Sequence, residues 1–145
     1  MNEQELATLA SDLAKAPHIA TVGTIEPDDS PQLSPVWITH DDNTVAFSIV
    51  EGRRKHSNIV HDPRISISIF DSENPMRRIE LRGSAVIVDD PDGDFIQQLS
   101  LAYTGSSWTE KDPEARRVII RLAPQRLVGR FCEMDPVVWI VRGGW

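Results

Sequence analysis

The sequence predicts a mainly β fold, a small and mostly antiparallel β-barrel with helical plugs. Three observations carry that expectation. Residues 65–70 (ISISIF) alternate strictly, three isoleucines against two serines, which is the period of a strand with one buried face. Several further β-branched runs are separated by short Asp, Asn and Pro clusters rather than by long crossovers, which favours antiparallel neighbours. Helical stretches are few. One opens the chain, one is inserted among four or five strands, and one precedes the last strands, so helices plug the sheet instead of alternating with it.

In order along the chain, residues 2–16 carry Leu6, Leu9, Ala10 and Leu13 at the spacing of one helical stripe, and Pro17 ends it. Residues 18–24 (HIATVGT) form a strand and 26–31 (EPDDSP) a turn. Residues 32–40 (QLSPVWITH) read as a single strand in which Pro35, lacking an N–H, belongs at an edge or a bulge. Asp41, Asp42 and Asn43 turn the chain into a strand over 44–50 (TVAFSIV), with Val45, Phe47 and Ile49 on one face. A helix over 53–61 docks through Ile59 and Val60 and closes at Asp62-Pro63.

After the 65–70 strand, residues 79–88 place Ile79, Leu81, Gly83, Ala85 and Ile87 on one face, with Gly83 marking a bulge or a close backbone approach. Asp90-Pro91 reads as a helix start. Phe95, Leu99 and Ala102, flanked by Ile96 and Tyr103, form the buried stripe of that helix, and Gly105 stops it. Residues 106–114 are loop-like, 116–122 a strand broken by Pro124, and 127–131 the last strand.

The 145 residues suit one domain, able to bury roughly 70% of its unfolded surface. Its parts are the N-terminal helix (2–16), the barrel (18–131) and an apolar C-terminal segment (136–145) expected to rest on the barrel, a second subunit or a ligand. A net charge of −7 argues against general nucleic-acid binding. Cys132 is the only cysteine, so neither an internal disulfide nor a Cys-based zinc site is expected. The N-terminus has no apolar signal region and no apolar run reaches about 18 residues. The expectation is a soluble, cytoplasmic protein with a small-molecule substrate and neither nucleic acid nor membrane as partner.

Against the acidic background, Arg53, Arg54 and Lys55 stand together after the apolar run 45–50 and Gly52. A strand that ends in Gly and opens a short basic helix has the parts of an anion site: free N–H groups, a favourable dipole and guanidinium forks. The competing reading is a solvated basic patch. The four histidines (18, 40, 56, 61) show no metal-like grouping and suit capping or solvent-facing roles. Tyr103 has core spacing, and the carboxylate pairs at 28–29, 41–42 and 89–90 sit at turns and a cap. No nucleophile elbow, catalytic Ser or Cys pairing, or Walker motif is present.

The run QLSPVWITHDDNTVAFSIVEGRRKHSNIVHDPRISISIF, continued by IELRGSAVIVDDPDG and RVIIRLAPQRLVGRF, resembles the pyridoxamine-phosphate-oxidase-like split β-barrel family over residues 17–131. It is most similar to the branch of small reductases that use the deazaflavin coenzyme F-420. The resemblance implies an antiparallel split β-barrel of the FMN-binding type and a homodimer with each cofactor in a groove between subunits. Arg54 and Lys55 match positions that hold the cofactor phosphate, and Arg53 and Asn58 match positions used by the deazaflavin branch. Ser34, Pro35, Val36 and Trp37 match the strand beside the ring system, and Ser48 and Ile49 the neighbouring strand beneath it.

The chain also departs from the family. FMN-using vitamin oxidases carry a basic residue at each end of the strand corresponding to 33–38, where this chain has Leu33 and Ile38. It also lacks the C-terminal Arg and His that hold pyridoxal phosphate. Both departures favour the deazaflavin branch. The implied reaction is hydride transfer from reduced F-420 to a conjugated, electron-poor small molecule such as an enone, quinone or bilin. No protein acid or base is then compulsory, so no catalytic residue is assigned. Two alternatives stand beside it: an FMN-dependent oxidoreductase, and a deazaflavin-binding protein without turnover. Trp37, with Trp108 or the C-terminal segment, would wall the substrate pocket, against a competing place for Trp37 in the core or a dimer interface.

Overall fold

Asn2 opens helix α1 (Glu3–Lys15) with a reciprocal capping box. Its side chain accepts from the Glu5 N–H and the Glu5 carboxylate accepts from the Asn2 N–H, both at 2.8 Å. The structure, a computed structural model, describes residues 1–41 and 43–130. Within them lie strands β1 (Ala20–Ile25), β2 (Pro31–Val36), β3 (Thr39–Asp41) and β4 (Thr44–Val50), then helix α2 (Arg54–His61). Strands β5 (Arg64–Phe70) and β6 (Arg78–Asp89), helix α3 (Asp94–Thr104), and strands β7 (Arg117–Leu122) and β8 (Arg126–Arg130) complete the order. Asp42, the Phe131 end of the last strand, Cys132 and the segment 136–145 lie outside the described residues.

The sheet runs β2-β1-β5-β6-β7-β4-β3, every pairing antiparallel, with β8 also on β6. Its curl into a split barrel is set by β6. One edge of β6 pairs with β5 over residues 78–84, while the other pairs with β8 over residues 78–82 and with β7 over 85–89. The β7–β8 connection therefore presses on the strand at Gly83, where a Cβ would stand 2.8 Å from Leu122 Cδ1 and 3.2 Å from the Ala123 carbonyl. The close approach expected at Gly83 is what the fold uses.

The inner face is a single apolar core. Ile65, Ile67 and Ile69 are buried there beside Phe47, Leu81 and Ile120, and α1 closes one end with Leu9 and Leu13. Fully burying each such side chain contributes about 1.5–3 kcal/mol. A smaller cluster lies on the other face of β4 and β7. There α3 sets Phe95 and Leu99 against Ala46 and Ile119, with Trp37 and Tyr103 packed alongside.

Four expectations need correction. Residues 32–40 are not one strand: β2 and β3 stand at opposite ends of the sheet path, separated at Trp37–Ile38. The backbone there bonds to a side chain instead of a ladder, since the Tyr103 hydroxyl accepts from Ile38 N at 3.0 Å and donates to the His18 carbonyl at 2.6 Å. Helix α2 docks through Ile59 and Asn58, while Val60 is 63% exposed. Helix α3 starts at Asp94 rather than at Pro91, because Asp90-Pro91-Asp92 first makes a turn into left-handed Gly93. Asp90 still caps it from a distance, its carboxylate accepting from Phe95 N at 3.2 Å. On that helix Ala102 is exposed, and Ser100 takes the buried place. Pro35 lies on edge strand β2, as its missing N–H requires.

Among the described residues, no helix is long and apolar enough to cross a membrane.

Candidate functional site

The end of β4 and the start of α2 form one built corner. Glu51 N–H donates to the Arg116 carbonyl at 2.8 Å, and Arg53 N–H to the Val50 carbonyl at 3.3 Å. Between them Gly52 takes φ 83°, which a side chain would strain. Its N–H donates to His56 Nδ1 at 3.0 Å, which ties the turn to the first turn of α2. Arg53 is the N-cap of α2 in extended conformation, and no side chain caps this helix. Its first N–H groups are thus available to an anion.

This corner forms one end of a groove of about 670 Å³. Strand β2, the end of β4, α3 and the loop after it line the groove. Pro35, Val36, Trp37, Ser48, Ile49, Arg53, Arg54 and Lys55 all line the groove. Two residues singled out from the sequence do not. Ser34 lies opposite buried Val22 in the β1–β2 ladder. Asn58 is buried beneath α2, where its Nδ2 donates to Thr24 Oγ1 at 3.0 Å.

The three cations are not equivalent. Arg54 is tied to Glu26 at 2.8 Å, and that hydrogen bond together with the Glu26 charge raises its pKa above the ordinary guanidinium value. Lys55 is half-buried. Burial first, then the charge of Arg53, lowers its pKa below 10.5. Among the described residues no carboxylate forms an ion pair with Lys55, and Arg53 interacts with the charge of Glu110 only at longer range. A desolvated ammonium beside a guanidinium and an uncapped helix start is an arrangement that an anion completes.

The aromatic part of the lining is held by hydrogen bonds and ring contacts. Trp108 N–H donates to Gln97 Oε1 at 2.9 Å, and Gln97 Nε2 returns a bond to the Trp108 carbonyl at 2.7 Å. The Trp108 indole Nε1 donates to Glu110 at 3.0 Å. Arg117 reaches the same carboxylate with Nε at 2.8 Å and Nη2 at 3.2 Å, and its guanidinium lies 5.0 Å over the Trp108 ring. The Arg117 hydrogen bonds, then that of Trp108, hold the Glu110 carboxyl below its usual value of 4.5. Trp108 meets Trp37 edge to face at 5.8 Å and 88°, and Trp37 stacks on Tyr103 at 5.5 Å. Burial raises the Tyr103 pKa, and its hydroxyl is bonded to backbone, so its role is to pin the β2–β3 seam.

Arg117, Gln32 and Ile96 also line the groove, although nothing in the sequence marked them. Arg117 opens β7 directly across the ladder from Val50, a register that strand alternation alone does not fix. One atom tests whether the groove suits a polar heteroaromatic ligand. The Ser48 hydroxyl, like that of Ser34 outside the groove, is buried without a hydrogen-bond partner among the described residues, and Ser48 is one of the residues lining the groove. An orphaned buried hydroxyl is costly by about 1–3 kcal/mol unless a partner arrives. A flat ligand with polar edges and an anionic tail would satisfy Ser48, Lys55 and Arg53 together. No grouping of His, Cys, Asp or Glu among the described residues could hold a metal ion.

Comparison with known proteins gives this geometry a lineage. No curated protein sequence matches the chain. Among solved structures it is similar to an F-420 reductase, with 32% identity and a TM-score of 0.74 over 81% of this chain and 94% of that one. A conserved hypothetical protein from Mycobacterium tuberculosis has 22% identity and a TM-score of 0.66, covering 94% of each chain. General stress protein 26 from Bacillus anthracis has 17% identity and the same TM-score, over 87% of this chain and 94% of that one. The last two show the fold alone. The family model for pyridoxamine 5'-phosphate oxidase matches residues 6–130. The chain belongs to the pyridoxamine 5'-phosphate oxidase family of flavin-binding split β-barrels.

Proposed function

We propose that the protein is an F-420-dependent oxidoreductase that passes a hydride from the reduced deazaflavin to a conjugated, electron-poor small molecule of the enone, quinone or bilin type. The observation that carries this reading is Lys55, a desolvated cation with no anionic partner among the described residues, beside Arg53 in a groove that Trp37 and Trp108 also line. Similarity to an F-420 reductase supports the deazaflavin over FMN.

In this reading Lys55, Arg53 and the first N–H groups of α2 hold the phosphate of the side chain, and Arg54 divides its charge between that phosphate and Glu26. Ser48 hydrogen-bonds a polar edge of the ring. Pro35 and Val36 flank the ring from edge strand β2, which pairs only with β1 among the described residues. Trp37, Trp108 and Ile96 exclude water and hold the acceptor against the ring, where reacting atoms about 3–3.5 Å apart account for much of the acceleration. When bound, the reduced cofactor supplies the hydride itself. The groove is open along β2, with Ile19 exposed at its rim. We read it as completed by a second copy in a homodimer, which light scattering of the purified protein would check.

The deciding experiment titrates purified apo-protein with F-420 and with FMN, following fluorescence quenching. The expected result is F-420 bound at least about tenfold more tightly than FMN. Tighter FMN binding would replace this reading with a flavin oxidoreductase on the same fold. Failure of both to bind would end it. Tight F-420 binding with no acceptor reduced across a broad screen would point to a binding protein without turnover.

A further inference from the structure

Loop 105–116 is built mostly of exposed polar residues, yet Trp108 within it has almost no freedom. Its backbone is locked to Gln97 by two reciprocal bonds, its Nε1 to Glu110, and its ring to Arg117. Glu110 is the hinge of this arrangement, since one carboxylate holds the indole and the guanidinium that stacks on it. The Arg117 side chain is only 12% exposed and that of Glu110 29%, so the guanidinium side of the ion pair is shielded from solvent. Anchoring the loop alone needs no indole turned to the groove, because the Gln97 bonds are to backbone. The ring adds a flat apolar wall that meets Trp37 at 88°, and Tyr103 fixes Trp37 in turn.

We infer that the Trp37–Trp108 corner is the acceptor subsite, that it selects flat conjugated ring systems over puckered ones of equal size, and that Glu110 is the positioning residue that keeps Trp108 in place. The inference rests on the groove being the reaction chamber proposed above. Two rigid rings at a right angle offer a planar guest one face to stack on and a second ring at its rim. Such aromatic contacts favour fit over mere burial. A puckered ring gains the burial and loses the stacking. A carboxylate that held Trp108 only for loop stability would give no such discrimination.

The test is equilibrium binding by calorimetry to the cofactor-free protein, with F-420 titrated separately. The probes are 2,3-dimethyl-1,4-naphthoquinone, whose substituted ring does not alkylate thiols, and the saturated bicyclic ketone 1-decalone. The wild type should bind the quinone about tenfold more tightly than the ketone. Trp108→Leu should erase that preference, Trp108→Phe should keep most of it, and Glu110→Gln should weaken quinone binding about threefold or more. F-420 affinity should stay within about twofold in all three variants. Equal binding of the two probes by the wild type overturns the inference. So does an unchanged preference in Trp108→Leu, or a parallel loss of F-420 affinity, which would put Trp108 in the cofactor slot. Should Trp108→Leu fail to fold, Glu110→Gln and Trp108→Phe carry the same decision. Quinone preference without F-420 binding would sink the cofactor reading and leave the subsite standing; F-420 binding without the preference would do the reverse.

Discussion

Asn58 Nδ2 donates to Thr24 Oγ1 at 3.0 Å with both residues almost fully buried, at 3% and 1% exposure. The Thr24 hydroxyl in turn donates to Gln32 Oε1 at 3.0 Å, so α2, β1 and β2 are tied in one short chain of bonds. Asn58, expected from the family resemblance to touch the cofactor, instead fixes the helix that carries Arg53, Arg54 and Lys55. Asn58→Ala removes a buried donor and leaves Thr24 half satisfied. It should destabilise the protein by about 1–3 kcal/mol, read by urea unfolding, while F-420 affinity of the folded variant changes by less than about threefold. A large affinity loss at unchanged stability would return Asn58 to the binding site.

Gly83 allows the β7–β8 connection to cross β6. A methyl group there meets the Leu122 side chain, which can shift, and the Ala123 carbonyl at 3.2 Å, which is backbone held beside the Gln125–Arg82 bond. Gly83→Ala should therefore cost about 1–3 kcal/mol as an overpacking defect. The denaturation midpoint should fall while the slope is unchanged. A neutral substitution would show that the split of the sheet is looser than the register implies.

Asp62 closes α2 and accepts three bonds from Arg64: Nη2 at 2.7 Å, Nε at 3.0 Å and the backbone N–H at 3.2 Å. The side-chain bonds, then the backbone one, hold its carboxyl down from 3.8 to about 2. The folded form thus releases this proton more readily than the unfolded chain. The stabilisation is complete above the unfolded value of 3.8 and is lost as pH falls through about 2. Asp62→Asn should melt slightly below the wild type near neutrality, the gap being small because the Arg64 side chain is 70% exposed. The two melting curves should converge toward pH 2; a gap that persists there would place the effect in packing instead.

Much of this architecture was legible in the sequence because local rules and tertiary demands agree. The ISISIF alternation, the Pro35 edge and the close approach at Gly83 each follow from one residue's geometry. The basic corner was legible because three cations in an acidic chain need a reason. What escaped depends on contacts far apart in sequence. Tyr103 breaks residues 32–40 into two strands from 65 residues away, and no period within that run reports it. Arg117 enters the groove through ladder register with Val50. Asn58 and Val60 exchanged roles because a short helix shows too few turns to fix its buried face, and Thr24 decided the matter by offering Asn58 a partner.

Lys55 gives the prediction that separates function from stability. Burial and the neighbouring Arg53 lower its pKa, so in the free protein its charge is held at a disadvantage relative to the unfolded chain. The folded form loses this proton more readily, so stability rises with pH in the window between the lowered folded pKa and the ordinary 10.5, and the penalty is fully present below it. Lys55→Met keeps the stem and removes the charge. The cofactor-free variant should melt no lower than the wild type at neutral pH, and its stability should lack the alkaline rise. The same change deletes a charge-assisted partner of the phosphate and should raise the F-420 dissociation constant at least about tenfold. A residue kept for packing would lose stability without selective loss of affinity. An unchanged dissociation constant for Lys55→Met would remove the phosphate from this corner, because no other cation of the cluster is both desolvated and without an acidic partner among the described residues.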